Sequence, residues 1–241
     1  MKPTLLIVRP AERITADAAI SEQAGWQPLP FPVLKIVSLA EALGRLKNQI
    51  ADADAVFWVS PTAVEIASQH LDFSDGLAQY VVVGQSTKEV LAQYLTREII
   101  CPTNGRDSEA VLQLDVWQQL PAGARVLIIR GQGGRDFLPR ALKQRGFQVE
   151  IAEIYYREPL MPDWAQFQQC RPQAAYVTSG ELVGLLFEQA PDELAQSLRT
   201  LLYLTHHERI ADALRQHGAG NIQLINRLNA TALIKLRETE F

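Results

Sequence analysis

Leu6-Ile7-Val8-Arg9, near the beginning of the chain, returns as Leu127-Ile128-Ile129-Arg130, an offset of 121 residues. Gly25-Trp26 returns as Gly146-Phe147 at the same offset. Val56-Phe57-Trp58-Val59-Ser60-Pro61 is echoed by Ala175-Tyr176-Val177-Thr178-Ser179-Gly180 at an offset of 119, and Val82-Val83-Gly84 by Tyr203-Leu204-Thr205 at 121. Any two strand–helix segments share some grammar. Four features in one order at nearly one period read as an internal doubling. They mark the C-terminal ends of strands entering helices, so the chain reads as two similar α/β units, each about half its length.

Short β-branched or aliphatic runs alternate with helical patterns on either side of these landmarks. The strand candidates are Leu5–Val8, Val33–Val37, Ala55–Val59, Tyr80–Val83, Val126–Ile129, Val149–Ile154, Ala175–Thr178, Leu201–Leu204 and Ile222–Ile225. Most are apolar without interruption, the pattern of strands covered on both faces. Val90, Leu91, Tyr94 and Leu95 fall on one face of a helix over Lys88–Leu95, as do Phe137, Leu138, Ala141 and Leu142 over Phe137–Arg145. Gly146 and Gly218 stand where such helices need a left-handed stop. This alternation predicts parallel sheets with right-handed crossovers. Val33–Val37 and Val149–Tyr156 are extended segments flanked by Pro30, Pro32, Pro159 and Pro162. Proline discourages helix there, and the two stretches are candidates for strands that cross between domains.

Composition bounds the partners. The 241 residues are 47% apolar and 21% charged, ordinary for a globular chain that buries a real core. A formal net charge of -4 argues against nucleic acid or an anionic membrane. Cys101 and Cys170 lie far apart and read as unpaired thiols of a reducing compartment. No run approaches the roughly 20 apolar residues of a membrane helix. The opening Met1 to Val8 turns into Arg9-Pro10 too early for a signal peptide, so the expected location is cytoplasmic.

In open parallel sheets, ligands bind outside the carboxyl ends of the strands. Four loops fall there: Ser60-Pro61-Thr62, Gly84-Gln85-Ser86-Thr87, Gly131-Gln132-Gly133-Gly134-Arg135 and Thr178-Ser179-Gly180-Glu181. Each sets glycine or proline with hydroxyl residues ahead of a helix, where unpaired backbone N–H groups suit a carboxylate or phosphate. Ser60 and Ser179 read equally well as ordinary helix caps. The glycine run lacks the spacing of a dinucleotide fingerprint, and no phosphate-gripping lysine motif is present. His206 and His207 are adjacent and diverge by about 100° on a helix; His70 and His217 lie near helix ends. No metal-ligand spacing occurs. Cofactor, metal and covalent catalysis are not expected.

The ordered set resembles the uroporphyrinogen-III synthase family. It runs from Arg9-Pro10 through Val59-Ser60-Pro61-Thr62-Ala63-Val64 and Val83-Gly84-Gln85-Ser86-Thr87 to Pro102 with Ser108-Glu109-Ala110-Val111-Leu112. Arg130-Gly131 with Gly133 to Leu138, Tyr155 four residues before Pro159, and Thr178-Ser179-Gly180 complete it. The resemblance covers essentially the full chain, and Gly84-Gln85-Ser86-Thr87 is its most specific part. Val8 stands where the family often has threonine. Thr205-His206-His207-Glu208-Arg209 stands at a late turn that usually carries a glycine–threonine pattern.

That resemblance implies an α/β fold of two similar doubly wound parallel-sheet domains joined by a two-stranded hinge near 33–38 and 155–160. One domain would combine 1–35 with 160–241, and the other would span 38–156. It implies a carbon–oxygen lyase (hydro-lyase) that closes hydroxymethylbilane to uroporphyrinogen III through a spiro intermediate, inverting the terminal pyrrole, in tetrapyrrole and haem biosynthesis. It implies a monomer with no cofactor and no metal, a small-molecule tetrapyrrole substrate, and room for transient contact with the bilane-forming enzyme. Tyr155 would give a proton to the departing hydroxyl, and Tyr156 would face the other side of its strand. Thr87 would orient substrate, with Gly84, Gln85, Ser86, Ser60, Thr62, Gly131, Ser179 and Gly180 at one cleft. Arg9, Arg130 and Arg135 would add charge there or pair with neighbouring acids. Two rival functions remain open: a bilobed module that binds a small molecule without reaction, and a nucleotide-dependent oxidoreductase, which the broken glycine pattern weakens.

Overall fold

The strand ends that precede the four loops belong to two sheets. The computed structural model describes residues 2–73, 78–103, 105 and 108–240; Met1 and Phe241, the nominal ends of the expected discontinuous domain, lie outside the described residues. The strands are β1 (Thr4–Val8), β2 (Gln27–Pro30), β3 (Leu34–Ser38), β4 (Ala55–Trp58), β5 (Gln79–Val82), β6 (Ile99–Ile100), β7 (Arg125–Gly131), β8 (Gln148–Pro159), β9 (Ala174–Val177), β10 (Leu202–Thr205) and β11 (Ile222–Leu224). One sheet has the order β11-β10-β9-β1-β2, the other β3-β8-β7-β4-β5-β6. Pairing is parallel throughout the first and from β8 to β6 in the second.

The chain forms two compact units. The first unit takes Met1–Ile36 with Glu158–Phe241, and the second takes Val37–Arg157. In the first, Leu5, Ile7, Ala174, Tyr176 and Leu204 pack with Ile14, Trp26, Leu233 and Leu236 on one face. Leu6, Val8, Ala175, Val177 and Tyr203 pack with Leu182, Leu186, Ile210 and Leu214 on the other. Successive side chains leave opposite faces of a strand, and here both faces are covered, which is why the runs are unbroken. In the second unit Phe57, Val126 and Ile128 pack with Trp117, Leu138 and Leu142, while Val56, Trp58, Leu127 and Ile129 are buried as well.

Pairing registers explain the doubling. Leu5 lies opposite Ala174 in β1–β9, as Val126 lies opposite Ala55 in β7–β4. Thr4 lies opposite Gln27 in β1–β2, as Arg125 lies opposite Gln148 in β7–β8. Gly25 and Gly146 hold matching left-handed turns, φ +78° and +89°, on entry to β2 and β8.

The repeated halves are shared between the units: each half gives its first two paired strands to one unit and its last three to the other. Gly84 corresponds to His207 rather than Thr205. Leu204 lies opposite Tyr176 as Val81 lies opposite Phe57, and Gly84 and His207 are the N-caps of the helices Gln85–Leu91 and Glu208–Gln216. The sequence reading also passes over β2, whose Pro28 and Pro30 argue against a strand. As the edge of its sheet, β2 tolerates the missing N–H donors. The chain crosses between the units at 36–37 and 157–158, within β3 and β8, which are neighbours in one sheet.

The two matching glycines differ in their surroundings. Gly146 has open space beside it, whereas a Cβ on Gly25 would strike the Arg237 guanidinium, which donates to the Ala24 carbonyl. Gly146→Ala is expected to cost about 1 kcal/mol from its left-handed backbone alone, and Gly25→Ala clearly more, in urea unfolding. Equal losses would show that Arg237 swings aside freely.

Candidate functional site

The parallel strands β7, β4 and β5 end on one edge of the second unit's sheet, where the loops 131–135, 60–62 and 84–87 leave, while β8 beside them runs on past that edge. β7 and β8 stay in regular register up to Arg130 opposite Glu153, and then Gly131 falls opposite Tyr155. Ile154 is thus an extra residue in β8, a bulge of the kind that bends a strand and re-aims the side chain after it. The re-aimed phenol of Tyr155 crosses Gly131. A Cβ at Gly131 would come 2.5 Å from Cε2 and Cζ of the ring, so glycine is required there by close approach. Gln132 N donates to the Tyr155 carbonyl at 2.8 Å, fixing the crossing.

The phenolic oxygen ends between two polar groups. Ser60 Oγ is 3.2 Å away, and either oxygen can donate. Arg157 Nη2 donates to it at 3.4 Å, with the guanidinium carbon 5.4 Å from the ring centroid. Tyr155 is 2% exposed, Ser60 is half-buried and Arg157 is exposed. Ser60 also caps the helix Pro61–Ala67, accepting from Ala63 N at 3.2 Å. Thr62, half-buried, is in that helix's first turn. The sequence reading misses Arg157. Its signal is its place two residues after Tyr155 on a strand, which returns a side chain to the same face.

Arg130 turns inward. Its Nε and Nη2 donate to Glu153 Oε1 at 3.2 and 3.1 Å, Nη2 to Asp136 Oδ1 at 3.1 Å, and Nη1 to the Arg135 carbonyl at 2.9 Å. The guanidinium pins the glycine loop to β8 and is matched by two carboxylates; Arg135 itself is exposed. In the next loop, Gly84 is buried while Gln85 and Ser86 are exposed, with Gln85 Nε2 donating to Glu89 at 3.2 Å. Thr87 is fully buried, and its hydroxyl has no hydrogen-bond partner among the described residues.

In the first unit, Arg9 extends from the end of β1. Its Nη1 donates to Thr178 Oγ1 at 2.6 Å, and the guanidinium carbon stands 5.8 Å from the Tyr176 ring centroid. Arg9 Nε lies 2.9 Å from Asp17 Oδ2 but off the N–H line, so the contact is an ion pair rather than a directed hydrogen bond. Burial raises the Asp17 carboxyl above the usual range, opposed by Arg9. Partial desolvation, then the charges of His207 and Arg9, push the His206 imidazole below its usual range, although the residue as a whole stays exposed. Ser179 caps the helix Gly180–Glu188, accepting from Leu182 N at 3.2 Å, and Gly180 is exposed.

A family model described as uroporphyrinogen-III synthase HemD matches residues 15–235. The uroporphyrinogen-III synthase of Escherichia coli (strain K12) is 29% identical over 247 residues, covering 96% of this chain and 98% of that protein. That of Salmonella typhimurium is 30% identical over 249 residues, with the same coverage. Among solved structures, a mutant uroporphyrinogen III synthase from the extremely thermophilic bacterium Thermus thermophilus is similar with a TM-score of 0.63 at 20% identity, covering 98% of each chain. Uroporphyrinogen-III synthetase from Helicobacter pylori is similar with a TM-score of 0.60 at 14% identity, covering 98% of this chain and 99% of that one.

The contact of Tyr155 with Gly131 is open to a double-mutant cycle. Gly131→Ala is expected to overpack the site and cost about 1–3 kcal/mol. In a Tyr155→Ala background the same change should cost far less, since the ring it strikes is gone. Additive losses in urea unfolding would show that the ring does not rest on Gly131.

Proposed function

The chain belongs to the uroporphyrinogen-III synthase family and is an enzyme of haem biosynthesis; we propose that it acts as a carbon–oxygen lyase on hydroxymethylbilane, with Tyr155 as proton donor. The hydroxyl of the bilane sits on a carbon attached to a pyrrole and leaves readily once protonated. The Tyr155 proton passes to that oxygen, the C–O bond breaks, and water departs with the bonding pair. The resulting azafulvene is electrophilic. Attack from the far ring gives a spiro intermediate, which fragments and recombines with that ring inverted. The proton lost from carbon at the final closure returns to the Tyr155 oxygen, so the net change is the loss of one water.

The observation that carries this reading is the phenol fixed at a strand C-terminus by Gly131, Ser60 and Arg157. A phenol keeps its proton at neutral pH and can donate it in a transition state. Without a protein the bilane closes to the uninverted isomer, so most of the task is to hold the substrate in one shape. Its carboxylates suit backbone N–H groups at helix starts, each contributing about 0.3–1 kcal/mol. Gly84, Gln85, Ser86, Ser60, Thr62, Gly131 and Arg135 would serve in the second unit, and Arg9, Ser179 and Gly180 in the first. Arg130 would act by shaping the glycine loop, and Thr87 by packing its helix. Cys101 and Cys170 are unpaired, in keeping with a reducing compartment. We take the enzyme to work in the cytoplasm as a monomer supplied by the bilane-forming enzyme.

The direct test mixes the purified protein with freshly made hydroxymethylbilane and separates the ring isomers. The expected product is the inverted isomer. Formation of the uninverted isomer at the spontaneous rate would overturn the reading and favour a binding module. Tyr155→Phe should remain folded and lower turnover by about ten- to a few hundredfold; unchanged turnover at saturating substrate would remove Tyr155 from the chemistry.

Thr87→Val removes a buried hydroxyl that has no partner among the described residues. It is expected to hold or raise stability by up to about 1 kcal/mol and to leave KM unchanged. A KM raised several-fold would return Thr87 to a direct role in binding.

A further inference from the structure

Arg157 belongs to none of the four loops that sequence singles out. It follows Tyr155 by two positions in β8, and its guanidinium folds back over the phenol, with Nη2 3.4 Å from Oη. Ser60 Oγ approaches the same oxygen at 3.2 Å. One arrangement of these protons leaves the phenol free to donate. A guanidinium can only donate. Ser60 Oγ accepts the Ala63 N–H and can direct its own proton to Tyr155 Oη. When both groups donate into the phenolic oxygen, the phenolic proton is not consumed inside the cluster. It is left for an acceptor outside it.

We propose that Arg157 is a positioning residue for the ring closure. With Ser60 it holds the Tyr155 oxygen so that the proton is presented to the leaving hydroxyl. Its charge then meets the negative charge left on that oxygen. The inference rests on the reading of Tyr155 as proton donor. As the proton moves to the leaving oxygen and water departs, the phenolate remains between a guanidinium and a hydroxyl until the carbon proton lost at closure restores it. Because the ring is 2% exposed, a charge beside it acts more strongly than it would in open water. Bonds to an ionised acceptor also shorten, so the 3.4 Å contact tightens as charge develops. The rival role for an exposed arginine is to grip a substrate carboxylate, and that role acts on binding rather than on turnover.

Arg157→Gln, Arg157→Lys and Tyr155→Phe, singly and with Arg157→Gln combined with Tyr155→Phe, separate these roles by kinetics on hydroxymethylbilane. Arg157→Gln is expected to lower kcat by about tenfold or more with KM little changed. Arg157→Lys should recover part of the loss. In the Tyr155→Phe background, Arg157→Gln should cost nothing further. A rise in KM with kcat intact, or full additivity with Tyr155→Phe, would overturn the proposal. A second measurement does not depend on activity: in protein carrying 13C at the tyrosine ring Cζ, Arg157→Gln should move the one signal that Tyr155→Phe deletes. No movement would overturn the contact itself. Should the wild-type protein fail to form the inverted isomer while that signal still moves, the fault lies with the assigned reaction and not with the placement of Arg157.

Discussion

The phenol of Tyr155 rests on a residue with no side chain, at a point where a methyl group would stand 2.5 Å from the ring. Three features meet in that contact. The extra residue at Ile154 turns the side chain across the neighbouring strand, Gly131 leaves room for it, and Ser60, just beyond β4, meets the hydroxyl. β8, β7 and β4 are parallel neighbours, and β7 and β4 end beside Tyr155, so the three residues meet although they are far apart in sequence. A side chain held this way loses its rotamer freedom during folding rather than on meeting a ligand.

The doubling shows how such a site arises in one unit and not in the other. Backbone features persist in both: the strand order, the register, the left-handed glycines and the serine caps Ser60 and Ser179. The chemistry does not. At the 121-residue offset, Tyr155 corresponds to Leu34, a buried core residue, and Gly131 corresponds to Pro10. The first unit has neither the phenol nor the space for one. Its strand edge carries Arg9, Thr178 and His206 instead, with Arg9 donating to the Thr178 hydroxyl and ion-paired with Asp17. Sheet geometry survives such divergence because it depends on apolar alternation, which many sequences satisfy, whereas a side-chain contact depends on two particular residues.

Electrostatics at these edges is more restrained than a count of arginines suggests. Arg130 meets Glu153 and Asp136, and Arg9 meets Asp17, so neither offers a full unit of free charge. Both hold loops in place. The N–H groups at the helix starts, by contrast, are fixed in orientation by the backbone. Arg157 is exposed, and its guanidinium lies against a nearly buried phenol.

Sequence alone determined the α/β class, most strands, the doubled plan and the glycine- and hydroxyl-bearing loops at the strand ends. Those properties follow from local rules: uninterrupted apolar runs, glycines after helices, and hydroxyl caps before them. It passed over β2 because two prolines argue against a strand until the strand is known to be an edge. It paired Gly84 with Thr205 because only cross-strand register reveals a two-residue slip. Tertiary structure decided the rest. Which half-chain strands share a sheet, that Thr87 faces inward, that Arg130 is taken up by acids, and that Arg157 reaches Tyr155 all depend on distances between segments remote in sequence or on a bulge. Periodicity carries no information about either, because it records which face a residue occupies and not what lies opposite.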